Sequence, residues 1–351
     1  MTIQFYTLVF FFIYGAYVYS VKFLNESDTK KINYLCITFL ILISAFRWKV
    51  GGDWDAYYAI SRDVNDIKLV NFKWSFVYIF INYIFNKMNL GIFGVNTLIV
   101  TIYFYSLYSL SKNLKLDFFL LTIISFTLVY FTGIMGYVRQ SLALSLFSLC
   151  INFLIVKKKK VSIIFFMLSV MTHFSILIYT PFIFYNFIKK TTIILILTIS
   201  ILLVTFFNAP TILNVYYQFI VLESMASLGI YLRAFTLFLT VIIFITNYQK
   251  IISKSKVFNF YLKYTCGLII FFNLSFLIYP VISSTVDRLN FFFILFQIVV
   301  IGRFCSQVIK SNNKDYLYYA SFFIFLYCAV LFFWLVFGDY STYYLEYKIL
   351  G

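Results

Sequence analysis

Long apolar runs, separated by short polar stretches, fill most of this chain. A helix needs about 20 apolar residues to cross the hydrocarbon core of a bilayer, and several runs reach that length. The runs are continuous, whereas the strands of a membrane β-barrel alternate between apolar and polar residues. The pattern therefore predicts membrane-spanning helices at 3–24, 32–48, 92–110, 118–135, 138–156, 191–207, 232–248, 264–281, 289–305 and 316–337.

Two apolar segments do not fit a simple series of spans. Segment 74–88 is short, and segment 161–188 is long and contains His173 and Pro181. Lysines are enriched in cytoplasmic loops, and the strongest cluster here is Lys157–Lys160. All lysine clusters share one side if 161–188 crosses twice, or dips and returns, and if one of 74–88 and 92–110 does not cross. The shorter segment 74–88 is the better candidate for not crossing. This arrangement predicts about 12 transmembrane helices, with both termini outside.

We therefore expect an all-α fold, namely a polytopic integral membrane protein with re-entrant or interfacial segments. No repeat or linker divides the chain, so 1–351 is interpreted as a single integral membrane domain. No cleavable signal peptide is expected, because Met1–Gln4 lacks basic residues. The two long extracytoplasmic loops would be 49–73 and 208–231. Loop 49–73 could contain an interfacial helix. Its apolar face would consist of Trp54, Tyr57, Tyr58, Ile60 and Val64. Its polar side would consist mostly of Asp55, Arg62, Asp63 and Asp66.

Composition supports the membrane class. Apolar residues make up 63% of the chain and charged residues 11%, against roughly 45–50% and 25% in soluble domains. These values exclude a soluble globular enzyme. The net charge of +16 would suggest nucleic acid in a soluble protein. Here no basic soluble stretch with interleaved aromatics exists, so no nucleic-acid partner is expected. The five cysteines form no CxxC pair, and neither a disulfide framework nor a zinc site is indicated.

Arginine and lysine are distributed differently. In the predicted topology the lysine clusters are cytoplasmic, whereas five of six arginines lie outside and only Arg303 lies inside. The positive-inside bias does not explain outward arginines, so they need another reason. A bound phosphate or pyrophosphate would supply one.

The first candidate constellation follows the second predicted helix. Arg47 can bind a phosphate bidentately, and Gly51 and Gly52 allow a tight turn with close backbone approach to a ligand. The same loop holds three further candidates, Asp53, Asp55 and Tyr57. An interfacial loop anchored by tryptophans explains the run equally well.

Two arginines open predicted helices on the outer side. At Arg139 and Arg288, free N–H groups of a helix start lie beside a guanidinium, which is typical of an anion site. Gln140 follows Arg139 directly and is a further candidate for binding the substrate. Arg233 opens another predicted helix and is a weaker candidate for the same role. The alternatives are an Arg139 that extends to the lipid headgroups and a local Asp287–Arg288 ion pair.

The single histidine of the chain, His173, lies within a long apolar stretch. Polar residues are costly there and tend to be functional. His173 could act as a general base or donate a hydrogen bond to a phosphate, and the alternative is a structural histidine. Ser175, two residues further on, is a candidate for binding the substrate. A lone histidine does not build a metal site. No nucleotide-binding motif occurs, so a donor substrate must arrive already activated, as a lipid-linked one does.

These residues resemble a known family. The run Arg47-x-x-Val50-Gly51-Gly52-Asp53-x-x-x-Tyr57 is similar to the first-loop motif of the EpsG-type polysaccharide polymerases. These belong with the Wzy-like enzymes that polymerise O-antigen, capsule and exopolysaccharide repeats. Three further features occur in family order over residues 47–293. They are Arg139-Gln140, His173-Phe174-Ser175 and Arg288 with the aromatic run after it.

The resemblance implies a membrane glycosyltransferase of GT-C-like architecture in the bacterial cytoplasmic membrane, active on the extracytoplasmic face. It would join undecaprenyl-pyrophosphate-linked oligosaccharide repeat units without a cofactor or metal. Arg139 and Arg288, together with Arg47, would neutralise the leaving pyrophosphate. His173 or Asp53 would accept the proton of the acceptor hydroxyl.

Three partner and function questions stay open at this point. A chain-length co-polymerase is a further partner that the resemblance allows, besides the lipid-linked substrates and membrane lipid. An O-antigen ligase, or another extracytoplasmic transferase of lipid-linked glycans, differs only in its acceptor. A flippase for the same glycans is less favoured, because transporters carry charges near the midplane and most charges here lie at helix ends.

Overall fold

The computed structural model describes residues 2–64, 75–185, 229–278, 282–309, 313–338, 343 and 348–349. Within these ranges the regular elements are helices, apart from two short strands. Eight of the helical segments described there are long and apolar enough to cross a membrane. The all-α, polytopic membrane class is therefore confirmed, whereas the total of about twelve helices stays a prediction.

The helices follow the apolar runs, because span length is set by the hydrocarbon thickness. The α-helices are α1 (Thr2–Phe23), α2 (Glu26–Ala45), α3 (Trp54–Asp63), α4 (Phe76–Lys87), α5 (Gly91–Leu114), α6 (Phe118–Ser125), α7 (Val138–Ile155), α8 (Lys159–Thr172), α9 (Thr180–Tyr185), α10 (Gly229–Thr246), α11 (Tyr248–Ile251), α12 (Lys256–Ile278), α13 (Ser283–Ile309) and α14 (Asn313–Phe337). A π-helix (Phe126–Gly136) continues α6, and a 3-10 helix (Phe174–Tyr179) lies between α8 and α9. The strands are β1 (Arg47–Trp48) and β2 (Lys348–Ile349).

Two predicted spans need comment. Segment 32–48 corresponds to α2, which carries Glu26 and Asp28 in its first turn and is not among the eight candidate spans. Segment 191–207 lies outside the described residues, as does most of the predicted loop 208–231.

Contacts between helices distinguish two ends of the bundle. At one end Arg47 contacts Asn96 of α5, and at the other Arg303 of α13 donates to the carbonyl of Leu114, the last residue of α5. The first is called the arginine end and holds Arg47, Arg62, Arg139, Arg233 and Arg288. The second is called the lysine end and holds Lys30, Lys112, Lys115 and Lys157–Lys160. The arginines are thus separated from the lysine clusters, as the sequence predicted, although the single lysines Lys49 and Lys87 lie at the arginine end.

Helix α4 does not cross the bundle. Its 12 residues correspond to about 18 Å, well short of a span. Ser75, just before it, contacts Arg139, and Asn86 near its end bonds with Ser61 of α3. Both ends of α4 therefore lie at the arginine end, as expected for a segment 74–88 that does not cross.

The long segment 161–188 is broken at its histidine. Helix α8 ends at Thr172, and His173 adopts extended backbone angles. The chain then turns back, since the hydroxyl of Tyr264 on α12 donates to the carbonyl of Ile178 at 2.8 Å. This course agrees with the predicted dip and return.

Arg303 is the one arginine at the lysine end, and its hydrogen bonds explain its position there. Its guanidinium donates to the carbonyls of Ile251, Ile252 and Leu114, at 2.6 to 3.0 Å. Carbonyls at helix C-termini lack intrahelical partners, so a buried arginine satisfies them. Arg303 therefore joins the ends of α5 and α11 and has a structural role.

The C-terminal strand returns to the first loop. Strand β2 pairs antiparallel with β1, with Arg47 opposite Ile349. The N–H of Gly51 also donates to the carbonyl of Tyr343 at 2.9 Å. Residues far apart in sequence thus hold the loop at the arginine end.

Candidate active site

Gly51 is required by a close approach of two backbones. Its φ is +107°, in the region that L side chains rarely adopt, and a Cβ here would collide with the carbonyl of Met135. We expected this glycine to let the backbone approach a ligand, and the structure shows instead an approach to the end of the π-helix. Gly52 is exposed, with open space around its Cα.

The environment of Arg47 differs from the one expected for a residue that binds substrate. Its side chain is 1% exposed. One guanidinium nitrogen donates to the carbonyl of Ile134 at 2.7 Å and another to the Asn96 side chain at 3.2 Å. The group also lies 5.6 Å from the centroid of the Trp54 ring. Arg47 therefore holds the end of the π-helix against α5 and the first loop, and it is not presented to a ligand in this structure.

Helix α3 carries the first-loop candidates. Trp54, Tyr57 and Val64 are buried, while Asp55 is exposed. The predicted amphipathic helix is thus present, except that Tyr58 is exposed, and its interfacial position stays a prediction. Asp66 lies outside the described residues. Asp55, on the outer side of α3, contacts none of the other candidates through a described hydrogen bond or ion pair.

Tyr57 connects the first loop to α7. Its hydroxyl donates to Asp53 Oδ2 at 3.3 Å, and the guanidinium of Arg139 lies 5.5 Å from the centroid of its ring. Burial raises the pKa of Tyr57 to about 12, and the positive charge of Arg139 partly opposes that shift. Asp53, Tyr57 and Arg139 therefore form one connected group.

Arg139 opens α7 immediately after the π-helix. No side chain caps this helix start. One guanidinium nitrogen of Arg139 donates to the hydroxyl of Ser75 at 3.1 Å, while Nε is buried and has no hydrogen-bond partner among the described residues. Within those residues no carboxylate pairs with Arg139 either. An uncapped helix start and a partly unused guanidinium form a site for an anion. Gln140, the next residue, is buried.

His173 faces the same group of charges. Burial, together with the positive charges of Arg139 and Arg288, lowers the pKa of His173 to about 4. The imidazole is therefore neutral at pH 7. The N–H of Ser175 donates to its Nδ1 at 3.4 Å, so the proton of the neutral ring is on Nε2. His173 thus presents a hydrogen-bond donor.

Asp287 pairs with Arg233 and not with its sequence neighbour. The Arg233 guanidinium lies 2.6 Å from Asp287 Oδ1, and the two side chains are only 17% and 12% exposed. This pairing corrects the alternative of a local Asp287–Arg288 pair. Arg233 was expected to bind substrate, whereas here its charge is matched by a carboxylate. Arg288 is exposed and makes no hydrogen bond or ion pair with a described residue.

Tyr137 lies within electrostatic range of several of these groups. Burial raises the pKa of Tyr137, and it is further influenced by Arg233, Asp287, Asp53 and Arg288. Residues from the first loop, α10 and α13 therefore converge on the start of α7. In the sequence Tyr137 belongs to the run Gly136-Tyr137-Val138-Arg139-Gln140 that holds Arg139, but no role was predicted for it.

Asn96 and Ser75 also position the site, but the sequence marks them less clearly than the candidates above. Asn96 is a buried polar residue in an apolar helix, which marks it as unusual. Ser75 follows a run without a distinctive motif. As for metals, no three His, Cys, Asp or Glu side chains in the described part of the chain lie close enough together to hold an ion.

A comparison with known families gives one match. The model of a family described as the EpsG family matches residues 30–349. The matched range includes every candidate residue described above. No curated protein and no solved structure matches the chain.

Proposed function

This chain belongs to the EpsG family, and from that premise we propose that it joins undecaprenyl-pyrophosphate-linked oligosaccharide repeat units into polysaccharide. Family membership supports a polysaccharide polymerase. We further propose that the donor is lipid-linked, that the reaction takes place on the extracytoplasmic face, and that the individual residues have the roles given below.

The observation that carries the proposal is the unused donor capacity around Arg139. Its Nε has no partner among the described residues, and it lies at an uncapped helix start. Arg288 is exposed, and its charge reaches His173, as does that of Arg139. A pyrophosphate leaving group carries the charge and the acceptor oxygens that such donors match.

In the proposed reaction the acceptor hydroxyl oxygen bonds to the anomeric carbon of the donor sugar. The bond from that carbon to the pyrophosphate oxygen breaks, and undecaprenyl pyrophosphate leaves. Arg139 and Arg288 stabilise the charge that develops on the leaving group. These arginines supply positive charge from the chain itself, so the proposal needs no metal ion.

The hydroxyl proton passes to Asp53 in this proposal. His173 and Asp53 were equal candidates from the sequence. The Nε2–H tautomer and low pKa of His173 favour a donor to the pyrophosphate over a base. The carboxylate of Asp53 is half-buried, bonded to Tyr57 and close enough to Tyr137 to influence its pKa. Asp53 is therefore the better proton acceptor.

The lysine distribution supports the proposed orientation. Lysine clusters favour the cytoplasmic side, and here they occupy the end opposite the candidate site. The arginine end would then face outward in the cytoplasmic membrane. This is where lipid-linked repeat units, and a chain-length co-polymerase if one assists, would meet the enzyme.

The direct test is polymerisation by purified protein in liposomes supplied with the lipid-linked repeat unit of the native host. We expect a ladder of longer glycans and release of undecaprenyl pyrophosphate. Asp53→Asn should abolish the ladder, whereas Asp63→Asn, an exposed control at the other end of α3, should retain it. A single transfer to a different acceptor would indicate a ligase, and movement of substrate without a new bond would indicate a flippase. Either result would overturn the proposal.

A further inference from the structure

A large cavity of the described structure lies at the lysine end. Its volume is about 570 Å³, and it opens between the ends of α1, α2, α5 and α6. Its charged and amide side chains are Glu26, Lys30 and Asn33 on α2, Lys112 and Lys115 at the end of α5, and Asp117 just before α6. Tyr34 and Tyr108 add aromatic surface. A cavity of this size accommodates a small ligand or a lipid headgroup.

This cavity is distinct from the candidate active site. Helix α2 begins at Glu26 beside the cavity and ends at Ala45, two residues before Arg47. Its 20 residues correspond to a rise of about 30 Å, which is the thickness of the hydrocarbon core. The two sites therefore lie at opposite ends of the same helices.

Two cations at the cavity are available to an anion. Lys112 and Lys115 are exposed, and no carboxylate among the described residues pairs with either. Lys30 is different, since it pairs with Glu26 at 2.6 Å. Lys112 and Lys115 therefore remain without an ion-pair partner among the described residues, although Glu26 and Asp117 also line the cavity.

Asp117, a half-buried carboxylate of the cavity, already has hydrogen-bond partners. Asp117 Oδ1 accepts from the N–H groups of Phe119 and Leu120, which caps α6, and Oδ2 accepts from the hydroxyl of Tyr316 at 2.6 Å. Burial also raises the pKa of Asp117. A carboxylate held in this way does not make the cavity a cation site, because its oxygens already have partners.

Asn33 adds a specific requirement. Its side chain is 3% exposed, and the carbonyl oxygen Oδ1 has no hydrogen-bond partner among the described residues. Leaving a buried acceptor unsatisfied costs about 1–3 kcal/mol. A ligand that provides a hydroxyl donor would satisfy Oδ1, while its anionic group would meet the lysines.

We propose that this cavity binds the headgroup of an anionic phospholipid, with its phosphate on Lys112 and Lys115 and a headgroup hydroxyl on Asn33. Apolar side chains in the lining, among them Val21, Leu24 and Leu116, suit the start of the acyl chains. Basic pockets between membrane helices commonly hold such headgroups. A bound lipid would join the ends of four helices on the side opposite the candidate active site.

The test measures lipid binding to the purified full chain in neutral detergent. Binding of phosphatidylglycerol and of phosphatidylcholine is compared by native mass spectrometry and by thermal shift, with glycerol 1-phosphate as a soluble probe. The test variant is Lys112→Gln with Lys115→Asn. Lys115 has a φ of 55°, which asparagine tolerates well. The matched control is Lys157→Asn with Lys160→Gln, because Lys157 also has a positive φ of 62° and lies at the same end.

We expect phosphatidylglycerol to bind and to raise the Tm, and phosphatidylcholine to do neither. At about 1 kcal/mol per lysine, the test variant should bind phosphatidylglycerol roughly 30-fold more weakly. The control should stay within about twofold of wild type, and Asn33→Leu should also lose affinity. Equal losses in test and control variants would show general surface charge and overturn the proposal. A Tm shift produced equally by glycerol 1-phosphate would assign the cavity to a soluble phosphate and overturn the lipid source.

Discussion

The guanidinium of Arg139 lies over the ring of Tyr57, 5.5 Å from its centroid, and the hydroxyl of Tyr57 donates to Asp53. This stacking joins α7 to the first loop, across 81 intervening positions of sequence. It also sets the distance between the proposed proton acceptor and the proposed leaving-group site. The first two predictions test this group.

Replacing Tyr57 separates the contribution of its ring from that of its hydroxyl. Tyr57→Phe keeps the stacking under Arg139, and Tyr57→Ala removes it. A cation–π contact is worth about 0.5–2 kcal/mol, so Tyr57→Ala should slow chain extension roughly 2- to 30-fold relative to Tyr57→Phe. Initial rates on the lipid-linked repeat unit measure this. Equal rates for the two variants would show that the ring does not position Arg139.

Arg139→Ala should slow chain extension by about 100- to 1000-fold, as loss of a donor to a developing anion does. Arg139→Lys should recover part of the rate, since it restores charge without the planar donor geometry. Glycan ladders on gels report the products. The matched control is Arg62→Ala, because Arg62 is exposed on α3 and pairs with Asp63. Long polymer from the Arg139→Ala enzyme would remove Arg139 from the proposed anion site.

The pH dependence tests the role of His173. Its pKa is lowered to about 4 by burial and by two arginines, so the neutral form persists from above pH 5 upward. Chain extension should then show no ionisation of His173 between pH 5.5 and 7.5. His173→Gln, which keeps a side-chain N–H donor, should be more active than His173→Ala. An inflection near pH 6.5 in wild type that His173→Gln abolishes would instead support a histidine base.

The lowered pKa of His173 also predicts how the free energy of unfolding depends on pH. A histidine whose folded pKa is lowered binds fewer protons in the folded state than in the unfolded state. The free energy of unfolding should therefore fall as pH decreases from about 6.5 towards 4. His173→Gln should reduce this slope, which thermal unfolding at several pH values in detergent would detect. An unchanged slope would show that His173 is not shifted in this way.

The two neighbouring glycines should respond differently to substitution. Gly51→Ala places a Cβ against the carbonyl of Met135 in a left-handed backbone, and Gly52→Ala meets open space. Backbone strain of this kind costs about 1–3 kcal/mol. We expect a lower Tm for Gly51→Ala and a Tm close to wild type for Gly52→Ala. Equal Tm values would contradict the close approach of the first loop to the π-helix.

Metal removal tests the charge-only account of the leaving group. Arg139 and Arg288 supply the positive charge in our proposal, so chain extension should continue in excess EDTA. Rates with and without added Mg²⁺ provide the comparison. A strict requirement for a divalent ion would contradict the proposal.

Local features of this protein could be predicted from its sequence alone. The apolar runs predicted the membrane class and the positions of most helices, because a span depends on a continuous length of apolar chain. The separation of Arg47 and Arg139 from the lysines followed from the same runs. The amphipathic helix at Trp54–Asp63 was also predictable, because helical periodicity is a property of neighbouring residues.

Pairings between distant segments were decided only by tertiary structure. Asp287 binds Arg233 instead of the adjacent Arg288, and Arg47 turns inward to Ile134 instead of outward to a ligand. Both outcomes depend on which helix ends pack together, and spacing along the chain carries no information about that. The same packing left Nε of Arg139 without a described partner. The sequence thus determined which residues reach the arginine end, and the packing of the helices determined which of them have donors left for a substrate.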